Sequence, residues 1–259
     1  MPTGVTAKPT VIRLADDLAA GRTTSRALVE AALARISDPG GEGARTFIKV
    51  YAESARAAAD AQDSLRRAGY VASPLAGLPV SIKDLFDVAG EPTLAASKAL
   101  DDRPPATSDA PVVARLRAAG AVLVGRTNMT EFAFSGVGIN PHFGTPGNPH
   151  DRRLVPGGSV SVADGQAVVA IGSDTGGSVR IPAALCGITG FKPTQRRISR
   201  DGAIPLSPTL DSIGPLANSI ACCAIADAVM AGEPATAPVP MPVEGNRLGV
   251  PQTYVLERL

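Results

Sequence analysis

Tryptophan is absent from this sequence and aromatic residues make up only 3% of its 259 positions, so small side chains must pack the core. Charge of one sign is also lacking. Lys plus Arg number 25 against 24 Asp plus Glu, and the formal charge of +1 excludes the basic field that nucleic acid or an anionic membrane surface would require. The expected partner is a small molecule without strong charge. Cysteine is scarce: Cys186, Cys222 and Cys223 are an odd set with two adjacent members, neither a disulfide framework nor a CxxC metal spacing. A reducing compartment is expected. His142 and His150, the only histidines, sit in the Pro/Gly-rich stretch GINPHFGTPGNPHD, which argues against a Ser/His/Asp triad and against a histidine zinc site. No metal and no cofactor are expected. The opening residues lack an apolar core and cleavage site, and the longest apolar run, near Ile220–Met230, is broken by Asp227, so a cytoplasmic protein without a membrane span is expected.

What is present is enough chain for a substantial core, with 44% hydrophobic and 19% charged residues, the balance of an ordinary globular protein. Residues 10–37 carry apolar positions at helical spacing, interrupted at Gly21, with Thr23 or Thr24 placed to cap a second helix. TFIKVY (46–51) reads as a strand and Ala52–Ala68 as a helix stopped by Gly69. In PLAGLPVSIKDLFDVAG (74–90) a short strand, Val80–Ile82, ends on Lys83. Residues 110–133 alternate helix, strand and helix, which makes the fold class α/β. AVVAIGSDTGGS (167–178) is a strand entering a tight turn, and 220–232 is a helix ending near Gly232. The Pro-rich stretch 233–245 reads as a linker or surface loop, with another strand and helix beginning after it.

The turn SDTGGSVR combines two glycines with Ser178, and turns of this kind can direct several backbone N–H groups into one concavity, as a developing oxyanion needs. The plain alternative is a turn with no chemistry. A serine hydroxyl needs a positioned base, and with histidine scarce the candidates are a lysine or a carboxylate. Lys83, set in Pro-Val-Ser-Ile, is the best lysine, because an apolar pocket lowers its pKa and leaves a neutral amine. Its plain alternative is a surface lysine paired with Asp84.

GLPVSIKD (77–84), PGGS (156–159) and GSDTGGSVRIPAALCGITGFKPT (172–194) strongly resemble the amidase signature family. GRTNMTEFAFSG (125–136), NPHFGTPGNPHD (140–151) and PLSPTLDSIGPLA (205–217) follow in that family's order, so the resemblance covers roughly residues 10–259. It implies a single amidase-type domain, 1–259, with a large mixed β-sheet sandwiched between α-helices. It also implies cofactor-free hydrolysis of a carboxamide C–N bond through a seryl acyl-enzyme. By resemblance the nucleophile is Ser178, the base Lys83 and the bridging serine Ser159, which in the family follows a cis peptide bond. The backbone N–H groups of Thr175, Gly176, Gly177 and Ser178 would form the oxyanion hole. Arg180 would bind a substrate carboxylate or, more plainly, brace the loop.

Two departures qualify this. Ser159 and Ser178 are 19 positions apart, about five fewer than the family pattern implies, and five extended residues span roughly 17 Å. Ser159 is therefore expected to fall short of Lys83, and Ser161, flanked by Val160 and Val162, is a weak stand-in. Family members also carry a further large segment, so the domain is expected to be incomplete at its C-terminus. An open sheet edge would then favour association, with a homodimer as one outcome. The competing readings are an inactive fragment of an amidase and an amidotransferase glutaminase-type subunit. A phosphate-binding protein fits poorly, since PGGSVSVAD lacks the Lys-Ser/Thr ending of a P-loop and SDTGGSVR lacks G-x-G-x-x-G spacing.

Overall fold

Capping side chains set the helix boundaries. In the computed structural model, which describes residues 8–154, 159–236, 239, 241–247 and 249–250, Thr10 accepts from the Arg13 N–H and opens α1 (Val11–Ala19). Thr24 accepts from the Ala27 N–H and opens α2 (Ser25–Ser37). One turn, α3 (Gly43–Thr46), leads into β1 (Phe47–Val50), and α4 (Ala52–Arg67) follows. The strand expected before Lys83 is β2 (Pro79–Lys83). Then come α5 (Pro111–Ala118), with Pro111 in its first turn where no N–H partner is required, and β3 (Val122–Thr127). The remainder is α6 (Val160–Ala163), β4 (Val169–Asp174), α7 (Arg180–Leu185), β5 (Thr189–Gly190), β6 (Ser212–Ala217) and α8 (Ile220–Ala231). Ser219 caps α8 by accepting from the Cys222 N–H, and Gly232 closes it in the left-handed conformation at φ 80°.

The strands form one mixed sheet in the order β1-β3-β2-β4-β6-β5. β2 lies between β3 and β4 and is parallel to both, while β1, β6 and β5 add antiparallel pairings. Helices cover both faces, which is why β2, β3, β4 and β6 are buried nearly throughout. On one face Val80, Ile82, Leu123 and Ile171 pack with α1, α5 and α8. On the other, Val122 and Val124 meet α2 and α4, and Ala170 and Leu216 meet Val162 of α6 and Ala183 of α7. The core residues are mostly Ala, Val, Leu and Ile, as the scarcity of aromatic rings requires.

The helix expected after β3 is instead a single 3-10 turn, Glu131–Ala133, with Phe132 and Ala133 at φ 52° and 59°. Polar side chains take over the backbone there: Asn140 Nδ2 donates to the carbonyls of Ala96 and Met129, both at 2.8 Å, and the Met129 N–H donates to Asn128 Oδ1. Such competition ends a helix early. β5, two residues long, and β6, six residues buried along their whole length and so without alternation, have no strand signal in the sequence. The strand and helix expected after Gly245 fall mostly outside the described residues.

Directly after β2, the Arg126 guanidinium of β3 donates through Nε to Asp84 Oδ1 at 2.6 Å, with both side chains only 2% exposed. Arg126 Nη2 also donates to the Phe86 carbonyl, and Asp84 Oδ2 accepts from the Ala96 N–H. This buried pair fixes the chain as it leaves Lys83.

Candidate active site

The C-terminal ends of β2 and β4 open into a small cleft of about 30 Å³, and its walls include Lys83, Ser178, Thr127, Asn128, Met129 and Gly136. Such a crevice beyond parallel strands is where α/β folds hold ligands. Lys83 is the last residue of β2 and Ser178 ends the turn that follows β4. The structure therefore brings together the two residues that the sequence put forward as base and nucleophile.

Lys83 Nζ donates a 2.8 Å hydrogen bond to Ser173 Oγ. Burial lowers its pKa from the ordinary 10.5 to about 8, with the charges of Asp211 and Asp174 working in the opposite direction. Asp84 is not its partner, since that carboxylate is held by Arg126. Because Asp211 supports the charged form, Asp211→Asn is expected to move the Lys83 midpoint further below about 8. The ε-carbon chemical shift of labelled lysine, followed against pH, reports this; an unmoved or raised midpoint would contradict it.

The turn itself is tied down from both sides. Asp174, buried at the end of β4, accepts from Arg180 Nε at 3.0 Å and Nη2 at 2.9 Å, and from the N–H groups of Val179 and Arg180. Burial opposes its ionisation, but the guanidinium and these N–H groups hold the carboxyl below its ordinary range. The structure thus places the Arg180 fork on Asp174, bracing the turn. Thr175 Oγ1 donates to Asp211 Oδ1, and the other oxygen of Asp211 accepts from the N–H groups of Leu206 and Ser207. Gly177 adopts φ 141°, where a Cβ would meet Ile181 Cδ1 at 2.6 Å, so only glycine fits. Among the described residues no hydrogen-bond partner engages the backbone N–H groups of Gly176, Gly177 or Ser178.

Ser159 is not part of this cleft. It is fully buried at the start of α6, where its hydroxyl has no hydrogen-bond partner among the described residues and lies near the Cys186 thiol, whose pKa burial raises to about 11. Ser161 does not reach Lys83 either: its Oγ lies 2.9 Å from Ser81 Oγ, one alternation earlier on β2. Val160 and Val162, both buried, hold α6 in the core. The peptide bond preceding Ser159, expected to be cis, lies outside the described residues. Two residues that touch the site, Ser173 and Asp211, were not singled out in the sequence. Their signal was position: each adjoins the end of a strand that flanks the cleft.

The mixed sheet, its two helical layers and a lysine and serine at the ends of neighbouring strands define an α/β enzyme scaffold. The family model described as Amidase matches residues 27–248, and the chain belongs to that family. It is 46% identical over 226 residues to AtzE, the 1-carboxybiuret hydrolase subunit of Pseudomonas sp. (strain ADP), a match covering 85% of this chain and 49% of that protein. It is 43% identical over 259 residues to a glutamyl-tRNA(Gln) amidotransferase subunit from Chloroflexus aggregans, covering 93% of this chain and 52% of that one. The native peptide amidase of Stenotrophomonas maltophilia superposes with a TM-score of 0.78 at 38% identity, covering 92% of this chain and 51% of that structure. The chain spans about half the length of the curated relatives it matches. No helix among the described residues is long and apolar enough to cross a membrane.

Proposed function

We propose that this chain carries the acyl-transfer centre of an amide hydrolase that cleaves the carboxamide C–N bond of a small molecule. The observation carrying this reading is a partly buried lysine of lowered pKa sharing one cleft with Ser178. Ser178 Oγ attacks the carbonyl carbon and its proton passes to the neutral Lys83 amine. Negative charge gathers on the former carbonyl oxygen, where the amides of Thr175, Gly176, Gly177 and Ser178 stabilise it; one good donor is worth roughly 3–4 kcal/mol. Collapse breaks the C–N bond, the leaving amine takes the proton from Lys83, and water then cleaves the acyl-serine to carboxylate. Arg180 acts through Asp174 by holding the turn in shape. Ser159 has no role in this scheme.

A fluorophosphonate probe tests this directly. Labelling mapped to Ser178 by peptide mass spectrometry is the expected result; an unlabelled serine in folded protein would overturn the proposal. The relatives named as amidotransferase subunits favour a second reading, in which the amide is glutamine and the ammonia passes to a partner protein. Ammonia release from glutamine, compared with release from simple aliphatic amides, separates the two.

A further inference from the structure

We propose that Ser173 replaces the bridging serine in this chain, as the positioning residue that holds Lys83 in place for proton exchange with Ser178. The proposal rests on the Lys83–Ser178 reading above and adds the question of what aims the lysine once the two loop serines are elsewhere. Ser159 is buried outside the cleft with no hydrogen-bond partner among the described residues, and Ser161 is paired with Ser81. Among the described residues, the 2.8 Å contact with Ser173 Oγ is the hydrogen bond that Lys83 Nζ makes.

Ser173 suits this task by placement and by chemistry. It is buried and next to last in β4, a strand paired with β2 on one side and β6 on the other, where Ser173 itself lies opposite Ile213. A hydroxyl in that position can move little. A hydroxyl is also both donor and acceptor: it accepts from the ammonium and donates to the neutral amine. Lys83 can therefore keep the same partner through both halves of a proton cycle, donating to it while protonated and either donating or accepting while neutral. The charged groups acting on Lys83 are Asp211, ahead of β6, and Asp174, itself held by Arg180. Both carboxylates act through charge and leave the aiming to the hydroxyl.

The test compares Ser173→Ala, Ser173→Val and Ser173→Thr by the rate of fluorophosphonate labelling at Ser178 as a function of pH. Loss of a hydrogen bond to a charged group corresponds to a rate loss of about 10- to 100-fold in the Ala and Val variants. Their midpoint should also fall, because the ammonium loses more than the neutral amine does. The Thr variant restores the hydroxyl and should recover most of the rate and the parent midpoint. Circular dichroism and the unfolding midpoint establish that each variant is folded, and Ala and Val err in opposite directions of volume. Ala and Val variants that label at the parent rate with the parent midpoint would overturn the proposal, as would a Thr variant as slow as Val. Absence of labelling in the parent, or undiminished labelling in Lys83→Ala, would instead show that the Lys83–Ser178 reading has failed, and this proposal with it.

Discussion

Lys83→Met should abolish fluorophosphonate labelling of Ser178 and at the same time stabilise the folded chain below pH 8. The kinetic half follows from removing the base, an effect of about 10²- to 10⁴-fold for a positioned proton acceptor. The stability half follows from burial. In the unfolded chain the lysine holds its proton to about 10.5, and in the folded chain only to about 8. Between those values the unfolded state binds more protons, so parent stability rises with pH across that window. Below about 8 the full penalty of a buried ammonium is present, roughly 3 kcal/mol. Met fills similar volume without charge and removes the penalty. Urea unfolding of both proteins from pH 6 to 10.5 is the measurement. The advantage of the variant should be largest at pH 6 to 7 and shrink as pH approaches 10.5; a pH-independent difference would contradict it.

The second large effect is expected at the pair that anchors the end of β2. Asp84→Ala takes the nearer carboxylate from the buried Arg126 guanidinium and leaves it only the longer 3.6 Å contact with Glu91; breaking a buried pair in this way costs about 3–5 kcal/mol. Arg126→Met strands Asp84 in the same way. The double variant Asp84→Leu/Arg126→Met removes both members of the pair, leaves Glu91 to Lys49 and Tyr51, and should regain most of the loss, so a double-mutant cycle gives a large coupling. Guanidinium unfolding would measure it. Single variants within about 1 kcal/mol of the parent would show that water reaches the pair.

Much of the fold was legible because its signals are local. Thr24, Gly232 and the apolar runs ending at Lys83 and Asp174 mark boundaries that backbone hydrogen bonding and sterics enforce wherever they occur. Lys83 and Ser178 could be picked out because a histidine-poor chain leaves few bases, and because each lies at or just beyond the end of a strand. The rest depended on partners distant in sequence. β5 is two residues long and exists only as a pairing with β6. The turn at Glu131–Ala133 is decided by Asn140, whose reach to Ala96 no local pattern shows. Ser173 reads in sequence as one more strand residue until β2 is set beside it. The shortened loop predicts a serine out of reach of the lysine, but the burial of Ser159 and the pairing of Ser161 with Ser81 come only from packing.

The hydrogen bond between Ser161 of α6 and Ser81 of β2 also works as a ruler. Along the strand, one alternation from Ser81 to Lys83 is about 6.6 Å. The Ser161–Ser81 contact occupies the first of these two rows and leaves the amine, one row further on, to the hydroxyl that β4 supplies.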